Sequence, residues 1–199
     1  MSEIKKLEII GTIKDGIEIG TKNIGPILVN CLLWVLTCWI PYLNVGTTIG
    51  LFVGIISKAS KGETIEMTEI FNPVYRKYMG EYFLVSGLVG LGVGVGFMFL
   101  FIPGYVIAIA WMFAPLLTID KGKNPAEAIT LSNNATYGNK WRIFGICLLV
   151  GLAFGILAGI FALIPVLGVI LIVALVIFAL FVAVGIQASI YRQLTSSIR

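Results

Sequence analysis

The chain has 199 residues, 58% of them apolar and only 12% charged, with a mean hydropathy of +1.00 and a formal net charge of +4. A soluble domain of this length carries about twice that share of charge, so the composition excludes the soluble classes and describes a polytopic membrane protein. Histidine is absent, which removes the commonest general base and metal ligand.

The first 22 residues are polar, with lysines and acids interspersed. Ile4, Leu7, Ile10, Ile13 and Ile17 recur there at helical spacing, which predicts an amphipathic helix. No apolar stretch occurs before Ile24, so a cleavable leader is not expected. Three uncharged runs follow, Asn23–Ser57, Tyr82–Ile119 and Ile143–Tyr191. Each exceeds the roughly 17–25 residues of one crossing and suits two. Near the middle of each stands a proline between apolar residues: Pro41, Pro103 and Pro165, evenly spaced along the chain. Proline lacks the N–H and disfavours helix in the residue before it, so these positions predict tight hairpin turns. The even spacing predicts pseudo-repeats over about 1–60, 61–121 and 122–199. Six spans result, over 24–41, 43–57, 82–102, 104–119, 143–164 and 166–190.

Between the runs, Ile70, Phe71, Val74, Tyr75 and Tyr78 again recur at helical spacing. Asn72-Pro73 and Asn124-Pro125 read as a cap followed by proline in the first helical turn, with Glu127 adding an acid there. Two readings of these polar segments stay open: helices lying in the headgroup plane, or helices packed on the charged end of the bundle. The charges themselves are sharply partitioned. All 14 Lys/Arg and 10 Asp/Glu fall in 3–22, 58–81, 120–142 and 192–199, and none near the prolines. Three hairpins put all four segments on one membrane face, and the positive-inside rule makes that face, with both termini, cytoplasmic.

Inside the spans the sequence offers little chemistry. Asp, Glu, Lys and Arg are missing from them, which argues against ion-coupled transporters, proton relays and intramembrane proteases. Cys31, Cys38 and Cys147 sit in apolar runs without metal-ligand or disulfide spacing. No cofactor, metal or catalytic residue is expected. Glycines four apart instead suggest close helix packing: Gly46, Gly50 and Gly54; Gly90 and Gly94, overlapping Gly92 and Gly96; Gly151, Gly155 and Gly159. A dinucleotide-loop reading of the glycines around Gly90 fails on spacing and context. Asn30 and Gln187 read as links between helices, or as the lining of a polar passage.

One stretch is more specific. Phe113-Ala114-Pro115-Leu116-Leu117-Thr118-Ile119-Asp120, then Asn124-Pro125-Ala126-Glu127-Ala128-Ile129 and Ser132, resembles a group of prokaryotic six-span membrane proteins, mostly of unknown function. That group includes the membrane domain attached to some glycerophosphodiester phosphodiesterases. Trp141-Arg142-Ile143-Phe144-Gly145 fits it too, although Asn133 stands where the group often has an aromatic residue. The resemblance implies a prokaryotic inner-membrane location. It implies no enzymatic activity, because the soluble phosphodiesterase domain, with its metal-binding acids and histidines, is lacking here. Phe113, Pro115, Asp120, Pro125, Ala128 and Ser132 are therefore expected to be architectural.

The expected fold is an all-α integral membrane protein of three pseudo-repeated hairpins with interfacial amphipathic helices. The expected function is a non-enzymatic membrane component that organises lipid or supports an assembly. Its partners are the bilayer and a membrane protein or a second copy of the chain, with no nucleic acid. The alternative is a passive channel or carrier for a small neutral or apolar solute.

Overall fold

A computed structural model describes residues 6–196, and among them only helices, turns and connecting segments occur. The expected Ile4 stripe position lies outside the described residues. Helix α1 (Ile9–Lys22) bends by 69° into α2 (Ile24–Thr37). A tight turn then leads to a rod, Pro41–Lys61, built of α3 (Pro41–Ile49), a π-helical turn (Gly50–Gly54) and α4 (Ile55–Lys61). The connection to the next hairpin carries a 3-10 turn at Glu69–Phe71 and the single-turn α5 (Val74–Lys77). Next come α6 (Met79–Phe99), and α7 (Phe101–Trp111) followed by α8 (Ala114–Lys121), which together form one rod, Phe101–Lys121. The chain closes with α9 (Pro125–Thr136), α10 (Lys140–Ala162) and α11 (Leu167–Thr195).

Among the described residues five helices are long and apolar enough to cross a membrane, and a sixth crossing results if the bent pair α1–α2 is one broken span. The molecule is thus an all-helical, multi-pass membrane protein. The 14 residues of α2 reach about 21 Å at 1.5 Å per residue, short of a hydrocarbon core of about 30 Å.

The three prolines stand near three hairpin tips, but in different positions. Pro41 is the first residue of α3, where a missing N–H costs nothing. Between α6 and α7 the chain breaks at Leu100, which is fully extended (φ −162°, ψ 153°), and Pro103 lies inside the first turn of α7. The corner is therefore Leu100, three residues before the expected one; proline is tolerated at the third helical position because that N–H has no intrahelical acceptor. Pro165 lies in the last turn, and its carbonyl accepts from Leu167 N–H at 2.7 Å. Val166 between them has φ 63° and ψ −61°, a γ-turn of the strained hand for a β-branched residue.

Glycine packing falls partly where expected. Gly46, Gly50 and Gly54 do carry a close approach, but their neighbour is the 69–76 segment rather than another span. A Cβ on Gly50 would lie 2.7 Å from the Ile70 Cα, and one on Gly46 would lie 2.9 Å from the Arg76 Nε. Gly54 admits the Tyr75 ring. In α6 the expected pair Gly90 and Gly94 faces open space; Gly92 takes the Trp111 ring, and Gly96 abuts Gly104 across the hairpin. Gly151, Gly155 and Gly159 also face open space. The tightest helix approach was not expected at all. Gly185 of α11 lies against the backbone of Gly16 and Gly20, and the Phe181 carbonyl presses on Gly20.

This contact decides how α1 sits. Its buried face is Thr12, Gly16 and Gly20, turned to α11, while the expected stripe is split: Ile10 is 64% exposed and Ile17 is exposed too, but Leu7 is buried and Ile13 packs against the core. The second amphipathic segment is no continuous helix: Ile70 and Tyr75 are buried, whereas Val74 is exposed. The core follows from these approaches. It gathers Leu7, Ile49, Ile56, Ile70, Phe113, Leu117, Ile143 and Tyr191 at the charged end of the hairpins. The α10–α11 tip, by contrast, exposes nearly every side chain from Gly151 to Ile170.

Candidate functional site at the charged end

The last turn of α8 delivers Asp120 to the middle of this core, its side chain only 2% exposed. Gly122, at φ 62°, ends α8 just beyond it and supplies the left-handed cap that glycine adopts without penalty. Ser57 and Lys61 stand four apart on α4, hence on one face, and both donate to Asp120 Oδ1. Tyr191 of α11 donates its hydroxyl to Oδ2 at 2.9 Å. Three elements distant in sequence therefore converge on one carboxylate. With both oxygens engaged, it pins helices together rather than standing ready as a base.

The remaining motif residues build the support around it. The Tyr191 ring lies against Phe113 at a centroid distance of 5.5 Å. The rod breaks at Phe113, where Pro115 cannot donate to the preceding turn. Ser132 of α9 bridges that break: its Oγ accepts from Phe113 N–H at 3.1 Å and donates to the Ala110 carbonyl at 2.8 Å. Ala128 is fully buried on the same face. Pro125 opens α9, and Asn124 caps it by accepting from Glu127 N–H at 2.9 Å. The structure thus brings Phe113, Asp120, Ala128 and Ser132 together, with Pro115 and Pro125 starting the helices that carry them. It also shows α9 packed against the α7–α8 rod.

A second carboxylate, Glu69, was not anticipated. Its side chain is fully buried and accepts from Lys58 Nζ at 2.6 Å and from the Tyr75 hydroxyl at 2.6 Å. Burial alone would push its carboxyl up; the bonds from Lys58, Tyr75 and Glu66 N–H, with the Lys58 charge, outweigh that and hold it below the usual carboxylate range. The same environment pushes the Tyr75 hydroxyl up, through burial first and the neighbouring Glu69 second. Asn30 joins α2 to this cluster. Its amide donates to the Glu66 and Pro26 carbonyls, both at 2.8 Å, and accepts from Ile70 N–H at 3.0 Å. Of the two roles open to it, Asn30 takes the linking one. Gln187 is half-buried on α11.

Further polar links tie the chain's extremes. Arg192 pairs with Asp15 at 2.6 Å, and Ser189 donates to the same carboxylate. Asn139 Oδ1 accepts from Leu7 N–H at 2.9 Å, while Arg142 donates to the Leu7 carbonyl. A cleft of ≈ 410 Å³ opens beside the Asp15–Arg192 pair, bordered by Glu18, Lys22, Glu63 and Ile65. Among the described residues no group of three His, Cys, Asp or Glu side chains could hold a metal ion. Comparison with protein-family models, curated proteins and solved structures finds no match for this chain.

Proposed function

We propose that the chain is a non-enzymatic membrane component that organises lipid or supports a membrane assembly. In this reading six spans form three pseudo-repeated hairpins, and the charged end and both termini face the cytoplasm of a prokaryotic cell, across its inner membrane. The observation that carries it is the division of the surface. Polar side chains at the charged end are spent on one another, around Asp120 and Glu69, while the α10–α11 hairpin offers an apolar face on nearly all sides. Such a hairpin needs lipid, a partner or a second copy around it. The open glycine ridge Gly151, Gly155 and Gly159 suits a close-packing neighbour of that kind. The likeness of the 113–132 stretch to the six-span group supports an architectural role for that stretch, since its residues hold helices together.

The polar cleft between α1, α4 and α11 favours a second reading, a passive channel or carrier. Reconstitution separates the two. In proteoliposomes, uptake of neutral solutes is expected to match protein-free vesicles, while a membrane partner co-purifies reproducibly in mild detergent. Uptake above that baseline, blocked by a bulky substitution at the border of the cleft such as Glu63→Trp, would install the carrier reading.

A further inference from the structure

Between α7 and the start of α10 runs a groove of ≈ 440 Å³, within the roughly 300–1,000 Å³ range of small-molecule sites. Its wall is aromatic. Tyr105 and Phe144 meet edge-on with centroids 5.3 Å apart, Trp141 stands 5.9 Å from Phe144, and Phe101 stacks 6.2 Å from Tyr105. Val106 completes the apolar side, and among the described residues the one cation bordering the groove is Lys140. We propose that this groove holds one acyl chain of an anionic phospholipid, whose phosphate is received by Lys140. The inference rests on the membrane-component reading above and names the lipid class and its seat.

Three observations favour this occupant. First, Lys140 Nζ makes one side-chain hydrogen bond, to Asn133 Oδ1 at 3.0 Å, so two of its three donors stay available for phosphate oxygens. Second, no Asp or Glu occurs anywhere after Glu127, so α10 and α11 bring no acid to compete for that charge, and Glu127, in the first turn of α9, is paired with Lys123 at 3.0 Å. Third, Trp141 is 81% exposed and Tyr137 65% exposed, the amphipathic rings that settle at headgroup level beside an acyl chain. A zwitterionic lipid would fill the same apolar wall but gain less from Lys140, because its own ammonium group repels the lysine.

The test is the melting of the purified full chain in neutral detergent, titrated separately with phosphatidylglycerol, phosphatidylcholine and glycerol phosphate. Phosphatidylglycerol should raise the melting temperature by several degrees and saturate, because a ligand bound only to the folded state stabilises it. Phosphatidylcholine should do markedly less, and glycerol phosphate, which has no chain, should do nothing. Lys140→Gln should move the phosphatidylglycerol midpoint about fivefold higher, the worth of one lysine near an anionic surface. Lys140→Arg should restore it, which separates lost charge from lost folding. Trp141→Leu reads the wall independently, at a side chain too exposed to carry the core, and should weaken binding several-fold. Equal shifts from the two phospholipids, a full shift from glycerol phosphate alone, or an unmoved midpoint in Lys140→Gln would overturn the site. Those results would leave the membrane-component reading standing, just as solute uptake would remove that reading without touching the groove.

Discussion

Asp120 and Glu69 both have side chains withdrawn from solvent, yet their sequence surroundings differ. Asp120 stands where an apolar run ends, inside a recognisable motif, so its importance is visible. Glu69 lies among other charges in a segment that reads as a solvated face. Nothing local announces that Lys58, Tyr75 and Asn72 fold over it. Two outcomes follow at this scale. Asp120→Asn should lower stability by about 1–3 kcal/mol in detergent denaturation, since Ser57 and Tyr191 lose a charged acceptor in a buried setting. Lys61→Gln should cost less, about 1 kcal/mol or under, because the lysine is 42% exposed and solvent screens its half of the pair. For Glu69 the sign of the pH effect is set by its lowered pKa. The unfolded chain binds the proton more readily, so stability rises with pH across this range. The contribution is complete above the ordinary carboxylate value of about 4.3 and disappears as the pH falls through the depressed folded value. Melting curves from pH 7 to the acid limit should show a steeper loss for the wild type than for Glu69→Gln.

Helices and their ends were largely legible, because charge-free runs and capping residues are local signals. Asn124-Pro125 starts α9 where expected, and the five long apolar helices lie within a few residues of the expected limits of the last five spans. The register of contact was not legible. A stripe of glycines states that something can come close, without saying what does. Gly46, Gly50 and Gly54 receive a loop, Gly151, Gly155 and Gly159 receive nothing, and the closest approach uses Gly16, Gly20 and Gly185, which form no single stripe. The α1 stripe shows the same limit: Ile10 and Ile17 stay exposed, while the neighbouring small face of Thr12, Gly16 and Gly20 packs on α11. Alanine substitutions grade these sites. Gly185→Ala puts a methyl group into the Gly16 carbonyl and should destabilise by about 1–3 kcal/mol through backbone displacement. Gly155→Ala should be neutral or stabilise by up to about 1 kcal/mol, because it meets no neighbour and gains helix propensity. The two melting temperatures, measured side by side in one detergent, should move in opposite directions or stay clearly apart.

At the scale of the whole molecule the partition of charge was the most informative feature of the sequence. The structure ties residues of all four charged segments to one another, through Asp15–Arg192, Lys61–Asp120, Asn139–Leu7 and Tyr191–Asp120. What patterning could not supply is the shortness of α2 and the 69° bend that joins it to α1, which packs on α11 through Gly16 and Gly20. Topology is open to a direct measurement. After the native cysteines are replaced, single cysteines at Tyr42 and Leu163, both strongly exposed near hairpin tips, should react with an impermeant reagent from the outer side only. Protection of either would remove the three-hairpin arrangement. Gly104 and Gly168 are poorer reporters, since a side chain at either collides with the returning helix.

The seam between α1 and α11 also sets a timetable. α1 leaves the ribosome before the surface it requires, from Phe181 to Arg192 of α11. While the helices between them are made, α1 must wait with Gly16 and Gly20 uncovered. The seam closes only when α11 comes back to α1.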